Sequence, residues 1–199
     1  VEGVRVINNL NLIINNFDKI AFIGNEIVIT TLFKVLSGEI KPDSGEITYG
    51  SSVILSYFPK NHDSYFESNK NLVEWLMDYS NVKEEQFVRG FLGRMLFSGE
   101  EVLKKVNVLS GGEKVRCMLS KMMLSGANLL ILEEPTDHLD VETITSLNEA
   151  LINFKGAILF STHDHQFIET TANRIIDFKE DGKYIDKMTT YEEFLKLYK

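Results

Sequence analysis

Two short apolar segments separated by a helical pattern constrain the fold of this chain more than any other feature. Leu129–Leu132 and Ala157–Phe160 are typical of buried strands. The residues between them include Val141–Phe154, in which apolar side chains recur at helical spacing. A strand, a helix and a second strand in this order indicate parallel strands joined by a crossover helix. The sequence therefore predicts an α/β fold with a mainly parallel sheet that is covered on both faces.

Apolar residues near the beginning of the chain also favour strands. Asn-rich turns at Asn8–Asn9 and Asn15–Asn16 separate them, and the pattern predicts an N-terminal antiparallel β part. The residues concerned are Val4, Val6, Leu10, Leu12, Ile14 and the run Ile20–Ile23. A helix is predicted over residues 31–38, and a further strand over residues 52–59 ends at Pro59.

A helical block lies between the two halves of the predicted sheet. Residues of about 66–125 carry apolar side chains at a 3.6-residue period, with Gly or Ser where each helix ends. We expect one domain over residues 1–199, with a core of about 1–65 and 126–199 and the helical block as an inserted subdomain. Near the end of the chain, two short strands around Asp181–Gly182 and a terminal helix are predicted.

Charge and cysteine content exclude several classes of protein. The 199 residues carry a net charge of −8, which argues against nonspecific binding of nucleic acid or a membrane surface by the chain as a whole. A single cysteine, Cys117, excludes a disulfide framework and a cysteine-rich zinc site. The apolar runs are too short to span a bilayer and no signal segment precedes them, so we expect a cytoplasmic protein without direct membrane insertion.

The segment Leu109–Lys114, LSGGEK, opens a predicted helix. Ser110, Gly111 and Gly112 would expose backbone N–H groups to an anion, and the helix dipole adds to the attraction. The alternative is an ordinary capping box, in which Ser110 and Glu113 satisfy each other's backbone N–H groups. The sequence of the motif is compatible with both interpretations, an anion site and a capping box.

Two acidic residues follow the first buried strand. Glu133 and Glu134 come directly after Leu129–Leu132, so we expect them at the carboxyl edge of the sheet, where α/β proteins bind ligands. One acid can hold Mg²⁺, and the other can orient and deprotonate an attacking water. His163 follows the next strand, at a place suited to contact a γ-phosphate. The alternative is a solvated acidic turn with a structural histidine.

The order of these motifs resembles the nucleotide-binding domain of ATP-binding cassette (ABC) proteins. LSGGEK resembles the signature motif, LLILEE the Walker B strand with the catalytic glutamate, HLD the D-loop and STHD the H-switch. The resemblance covers nearly the whole chain. It implies a P-loop NTPase-like ABC fold that binds ATP and Mg²⁺ and pairs head-to-tail with a second cassette.

The resemblance also assigns roles to the residues that match each motif. Glu134 would be the general base, and His163 would contact the γ-phosphate. Ser110–Gly112 and Glu113 of the signature would complete the nucleotide site of the partner cassette, together with Asp140 of the D-loop.

Two motifs, EEPTDHLD and THDHQFI, narrow the resemblance to the ABC-F subgroup. The segments SYFPKN and FLGRMLFSGEEV are similar to the second cassette of such proteins. ABC-F proteins are soluble tandem-cassette ATPases, many of which act on the ribosome as translation or antibiotic-resistance factors. The resemblance implies a second cassette in the same protein or in a homodimer. It also implies contacts with the ribosome or tRNA through regions outside this chain.

The stretch that matches the phosphate-binding loop departs from the pattern G-x-x-x-x-G-K-[ST]. Counted forward from Gly24, Ile29 stands at the second glycine. Thr30 then stands at the lysine and Thr31 at the hydroxyl that binds Mg²⁺. Aligned instead on the family ending K-T-T-L, Ile29 takes the lysine position and Thr30 the hydroxyl, with one residue missing. Neither register supplies a lysine. The candidate nucleotide-binding residues of the loop are Gly24, Asn25, Ile29, Thr30 and Thr31.

Further departures weaken the predicted nucleotide site. Loss of the lysine contact costs roughly 1.5–3 kcal/mol, and Glu26 adds a negative charge near the phosphates. Glu133 is one methylene longer than the Walker B aspartate, and with Thr30 it forms the predicted Mg²⁺ side of the site. Lys60 stands at the Q-loop glutamine, where it either restores positive charge near the γ-phosphate or is a solvated loop lysine. The sequence therefore predicts weak ATP binding at this cassette's own loop.

Three functions remain open from the sequence. The first is an ATP-hydrolysing cassette of an ABC-F-like protein. The second is a non-catalytic cassette that acts as a regulatory or structural partner, which the altered phosphate loop favours. The third is the ATPase subunit of a membrane transporter. Lys60 at the Q-loop position and the HLD motif argue against this function.

Overall fold

The centre of the fold is a mostly parallel sheet. The computed structural model describes residues 6–180 and 183–198. Its strands are β1 (Lys19–Gly24), β2 (Leu55–Phe58), β3 (Leu129–Glu133), β4 (Ala157–Ser161), β5 (Arg174–Phe178) and β6 (Tyr184–Lys187). Within these residues the strand order is β2-β3-β4-β1-β5-β6, and every neighbouring pair is parallel except β5 and β6. The predicted α/β class with a mainly parallel sheet is confirmed.

Helices connect and cover the strands. They are α1 (Glu26–Leu36), α2 (Leu72–Tyr79), α3 (Glu85–Arg94), α4 (Gly111–Leu124), α5 (Val141–Ile152), α6 (His165–Thr171) and α7 (Tyr191–Tyr198). Short 3₁₀ turns occupy Asp63–Phe66, Gly99–Leu103 and Val106–Val108. Helices α2, α3 and α4 pack on one another, and they all lie in the predicted helical block.

The core lies on both faces of the sheet. Alternate residues of β1 point to opposite faces, so Ile20 and Phe22 join one buried cluster while Ala21 and Ile23 join the other. The first cluster includes Phe33 of α1, and the second extends into α2, α4 and α6. Because both faces are covered, the central strands β1, β3 and β4 each carry a run of consecutive apolar residues, as expected for a parallel sheet.

The predicted N-terminal antiparallel part is wrong for the described residues, because no strand forms in residues 6–18. Apolar side chains of this segment pack against the α1 side of the core without a ladder partner; they are Val6, Ile7, Leu10, Leu12 and Ile14. Asn9 takes a left-handed backbone conformation with φ of 50°, which interrupts an extended run. The antiparallel strand of the sheet is β6 instead. Val4 lies outside the described residues.

The C-terminal elements follow the prediction. Strands β5 and β6 pair antiparallel, and α7 follows them. The predicted turn at Asp181–Gly182 lies outside the described residues. In the part of the chain that the structure describes, no helix has the length and apolar character needed to cross a membrane.

Candidate functional site

A cleft of about 260 Å³ lies at the carboxyl ends of β1, β3 and β4. These strands are neighbours in the sheet and run parallel, so the residues that follow them meet at one edge. The predicted site residues that line the cleft are Gly24, Ile29, Thr30, Lys60, Glu133, Glu134 and His163. The structure therefore brings the predicted Walker B, H-switch and phosphate-loop residues together.

Glu133 at the end of β3 accepts hydrogen bonds from three elements of the fold. Its Oε1 accepts from the Thr30 hydroxyl of α1, and its Oε2 accepts from the Tyr57 hydroxyl at 2.8 Å and from the Lys60 backbone N–H at 3.2 Å. Glu133 is buried. The pKa of Tyr57 is raised by the burial of Tyr57 itself and by its hydrogen bond to Glu133. Tyr57 was not among the predicted site residues.

Glu134 is held by its backbone in an unusual conformation. Its φ is +48°, in the left-handed region that costs about 1–3 kcal/mol for a residue other than glycine. Its backbone N–H donates to the Ser161 carbonyl at 3.0 Å, and its Oε2 accepts from the His163 N–H at 3.3 Å. The imidazole Nε2 of His163 is 3.7 Å from Glu134 Oε1. Burial raises the pKa of Glu134 above its ordinary value.

The raised pKa of Glu134 predicts a pH-dependent effect of the variant Glu134→Gln. The folded chain holds the Glu134 proton more tightly than the unfolded chain does, so this residue destabilises the fold increasingly as the pH rises above the ordinary value of 4.5. Glutamine removes that cost, and we expect Glu134→Gln to unfold at higher urea concentration than the parent at about pH 7.5. The gain should shrink towards about pH 4, and an equal gain at both pH values would contradict this origin.

The segment between β1 and α1 contains a single residue, Asn25. Its side-chain oxygen accepts from the backbone N–H groups of Ile27 at 3.0 Å and Val28 at 3.3 Å, which caps the helix. These are the N–H groups that would otherwise face an anion at the helix start. The turn between β1 and α1 is therefore shorter than the pattern G-x-x-x-x-G-K-[ST] requires, and two N–H groups of the helix start already have a side-chain acceptor.

A carboxylate stands in the cleft beside this turn. Glu26 Oε1 lies 3.1 Å from His163 Nε2, and Glu26 Oε2 accepts from Lys60 Nζ at 3.4 Å. Glu133 and Glu134 add two further carboxyl groups to the lining. The part of the cleft beside Lys60 and His163 does not fit a bound phosphate in the geometry observed, because the Glu26 carboxylate already faces both side chains.

The two threonines of the loop point in different directions. Thr30 donates to Glu133 inside the cleft, whereas Thr31 Oγ1 donates to the Ile27 carbonyl of its own helix at 2.7 Å. The position of Thr30 supports the register aligned on K-T-T-L, in which Thr30 supplies the hydroxyl. Since the Thr30 proton is directed at Glu133, the oxygen lone pairs stay available to a cation, so the Mg²⁺ side of the site fits better than the phosphate side.

The signature residues lie at the start of α4 and are not part of the cleft lining. The Ser110 backbone N–H donates to Glu113 Oε2 at 2.8 Å, and the Glu113 N–H donates to Ser110 Oγ at 3.3 Å, which completes a capping box. Glu113 also accepts from Lys104 Nζ at 2.7 Å. The capping interpretation is confirmed, and anion binding by the same turn stays a prediction.

The predicted D-loop packs against the signature turn of the same chain. A Cβ on Gly111 would lie 3.4 Å from the Cβ of His138, and one on Gly112 would lie 3.7 Å from the His138 carbonyl oxygen. Asp140 caps α5, since its Oδ1 accepts from the Thr143 N–H at 2.8 Å. Asp140 does not line the cleft. The two segments therefore lie next to each other, at a separation where an added Cβ would make ordinary van der Waals contact.

A mostly parallel sheet with acidic residues at its carboxyl edge and a helix after the first strand is consistent with the P-loop type of nucleotide-binding domain. The sequence pattern of the ABC transporter family matches residues 7–137. The chain belongs to this family.

The chain is also similar to two relatives and to one solved structure. It is 60% identical over 199 residues to the uncharacterized ABC transporter ATP-binding protein YkpA of Bacillus subtilis strain 168, covering 98% of the chain and 37% of that protein. It is 36% identical over 174 residues to the energy-dependent translational throttle protein EttA of Escherichia coli K12, covering 84% of the chain and 31% of EttA. The structure of RNase-L Inhibitor matches with a TM-score of 0.72 and 22% identity, over 92% of the chain and 36% of that structure.

The chain thus spans about a third of the length of these curated relatives. The match to RNase-L Inhibitor supports the fold alone, because its sequence identity is low.

Proposed function

We propose that this chain is one cassette of an ABC-F-like, ATP-driven translation or ribosome-associated factor in the cytoplasm. In this proposal residues 1–199 form a single cassette, and the helices of about 66–125 form its inserted subdomain. The cassette binds ATP weakly at its own loop and completes the ATP site of a second cassette with its signature turn. The identity to EttA, whose name describes a translational throttle, supports the translation assignment. Contacts with the ribosome or tRNA would come from regions outside this chain.

The observation that carries the proposal is the direct passage from β1 to α1. Asn25 uses two N–H groups of the helix start for its own cap, and no lysine follows at the position of the motif. A charge-assisted hydrogen bond to phosphate is worth about 1.5–3 kcal/mol, so its loss lowers ATP affinity by about tenfold or more.

The other residues of the cleft also have roles in the proposal. Thr30 and Glu133 are the pair that would hold Mg²⁺, which supplies positive charge to phosphate oxygens when it is bound. Glu134 would accept the proton of an attacking water, and its burial suits it to that role. His163 would contact the terminal phosphate.

The capping box of the signature turn uses the N–H groups of Ser110 and Glu113 and does not include those of Gly111 and Gly112. Ser110 and Gly111 are exposed at the start of the 14-residue helix α4, whose dipole points its positive end at them. An exposed turn of this kind can approach the phosphates of a nucleotide that another cassette holds. The phosphate loop of this chain is altered, whereas its signature turn is exposed. This difference favours a cassette that completes its partner's nucleotide site more than it binds ATP at its own.

A mixing experiment tests the division of labour. In one variant, Glu26–Ile29 is replaced by Asn-Gly-Ile-Gly-Lys, which restores the phosphate loop, and Ser110→Asp removes the signature function while keeping a residue that caps helices well. This variant alone and the unaltered chain alone should release little phosphate from ATP. We expect hydrolysis when the two are mixed, because the unaltered chain then supplies its signature turn to the restored loop.

Matched controls test whether the signature turn is the surface responsible for hydrolysis in the mixture. Ser98 also begins a turn and donates to a glutamate three residues later, Glu101. Adding Ser98→Asp to the unaltered chain should preserve hydrolysis in the mixture, whereas adding Ser110→Asp should abolish it. Equal activity of both mixtures would contradict a role for the signature turn.

The transporter alternative is favoured by one observation, the name of YkpA, which describes an ABC transporter ATP-binding protein. An ATPase subunit of this kind would associate with a membrane subunit. Recovery of a membrane protein together with the native protein from its source cells would support that function over the ribosomal one. Recovery with ribosomal particles would support the ABC-F function.

A further inference from the structure

We propose that the carboxylate of Glu26 occupies the terminal-phosphate end of the cleft and thereby makes this cassette discriminate against ATP relative to ADP. The inference rests on the proposed function, in which the cleft is a weak nucleotide site. It assigns the discrimination to one side chain of this chain in addition to the missing lysine.

Glu26 connects two cleft residues that come from different strands. Lys60 follows β2 and His163 follows β4, while Glu26 lies in the first turn of α1. The two oxygens of Glu26 divide between them, with Oε1 at 3.1 Å from His163 Nε2 and Oε2 at 3.4 Å from Lys60 Nζ. One carboxylate therefore engages both of the groups that stand nearest to a γ-phosphate in the proposed site.

The start of α1 favours an anion at the place that Glu26 takes. The positive end of the helix dipole lies there, and the Asn25 side chain already satisfies the N–H groups of Ile27 and Val28. A carboxylate in the first turn interacts favourably with the dipole without needing those donors. Glu26 thus supplies the negative charge that a phosphate would otherwise bring.

A carboxylate and a phosphate compete for the same two side chains, Lys60 and His163. Both are anions that accept hydrogen bonds, so ATP can reach Lys60 and His163 only after Glu26 has been displaced. The side chain of Glu26 is 57% exposed, which leaves it free to move into solvent. ADP has no terminal phosphate and competes with Glu26 less. The nucleotide that Glu26 disfavours is therefore the triphosphate.

The variant Glu26→Gln of the full chain tests this discrimination. Binding of MgATP and of ADP is followed by ligand-observed NMR at millimolar nucleotide, and thermal unfolding checks that the variant is folded. Exposed ion pairs are individually modest, so we expect ATP affinity to rise by about threefold to fivefold while ADP affinity changes by less than about twofold.

Glu149→Gln is the matched control, because Glu149 is an exposed carboxylate of α5 outside the cleft lining. It removes the same charge and should leave both affinities unchanged. An unchanged ATP affinity of Glu26→Gln, including no detectable binding by variant or parent, overturns the inference. So does an equal gain for ATP and ADP. Tight ATP binding by the unaltered chain would instead overturn the proposed weak site, whatever the effect of Glu26.

Discussion

Replacing Glu26–Ile29 by Asn-Gly-Ile-Gly-Lys is expected to raise the affinity of the chain for MgATP by about tenfold to hundredfold. The five new residues replace four and complete the pattern from Gly24 to Thr30 with its second glycine and its lysine. The longer, glycine-containing turn separates β1 from α1 and provides backbone N–H groups for phosphate oxygens. The lysine adds a charge-assisted contact worth about 1.5–3 kcal/mol.

The same replacement ending in alanine instead of lysine separates the two contributions. It restores the length and the glycines of the turn and removes Glu26, so its affinity should lie between those of the parent and the complete replacement. Calorimetric titration with MgATP provides the measurement. An affinity of the complete replacement equal to that of the parent would show that the loop does not limit ATP binding.

Gly24→Ala is expected to destabilise the fold by about 2–4 kcal/mol, which lowers the unfolding temperature by about 5–15 °C. Gly24 has a φ of +96°, and a Cβ there would lie 2.1 Å from the Phe178 carbonyl oxygen and 2.6 Å from Asp177 Oδ1. Phe178 belongs to β5, which pairs with β1 at this position. The clash is with backbone, so only a shift of one strand against the other can relieve it.

Two other glycines distinguish strain from steric overlap. Gly45 has a φ of +92° and Gly90 lies in helix α3, and neither would bring a Cβ within 4 Å of another group. Gly45→Ala should therefore show the conformational cost alone, of about 1 kcal/mol or slightly more. Gly90→Ala should be neutral or slightly stabilising because alanine favours helix. If Gly24→Ala and Gly45→Ala lower the unfolding temperature equally, the contact with β5 is not important.

Continuous apolar runs made the centre of the sheet predictable from the sequence. β3 and β4 are short and buried on both faces, and helix α5 between them has a clear period, so local patterns were sufficient. The segment 6–18 was misleading for the same reason. Its alternating apolar residues pack on the core as a strand's would, but strand formation also requires a partner that local sequence does not provide.

The carboxyl edge of the sheet made much of the cleft predictable. Glu133, Glu134 and His163 were expected there because they follow predicted strands, and they do line one cleft. The contact of Tyr57 with Glu133 depends on β2 lying beside β3, which is a property of strand order and not of spacing. The start of α1 could have been found, since Asn25 is a favoured capping residue.

The most direct measurement is a MgATP titration of the unaltered chain, with steady-state hydrolysis followed on the same sample. A loop without its lysine, capped by Asn25 and faced by Glu26, predicts that binding does not saturate below several millimolar ATP and that little phosphate is released. Submillimolar binding with hydrolysis that Glu134→Gln abolishes would contradict the weak site and establish a working ATPase cassette.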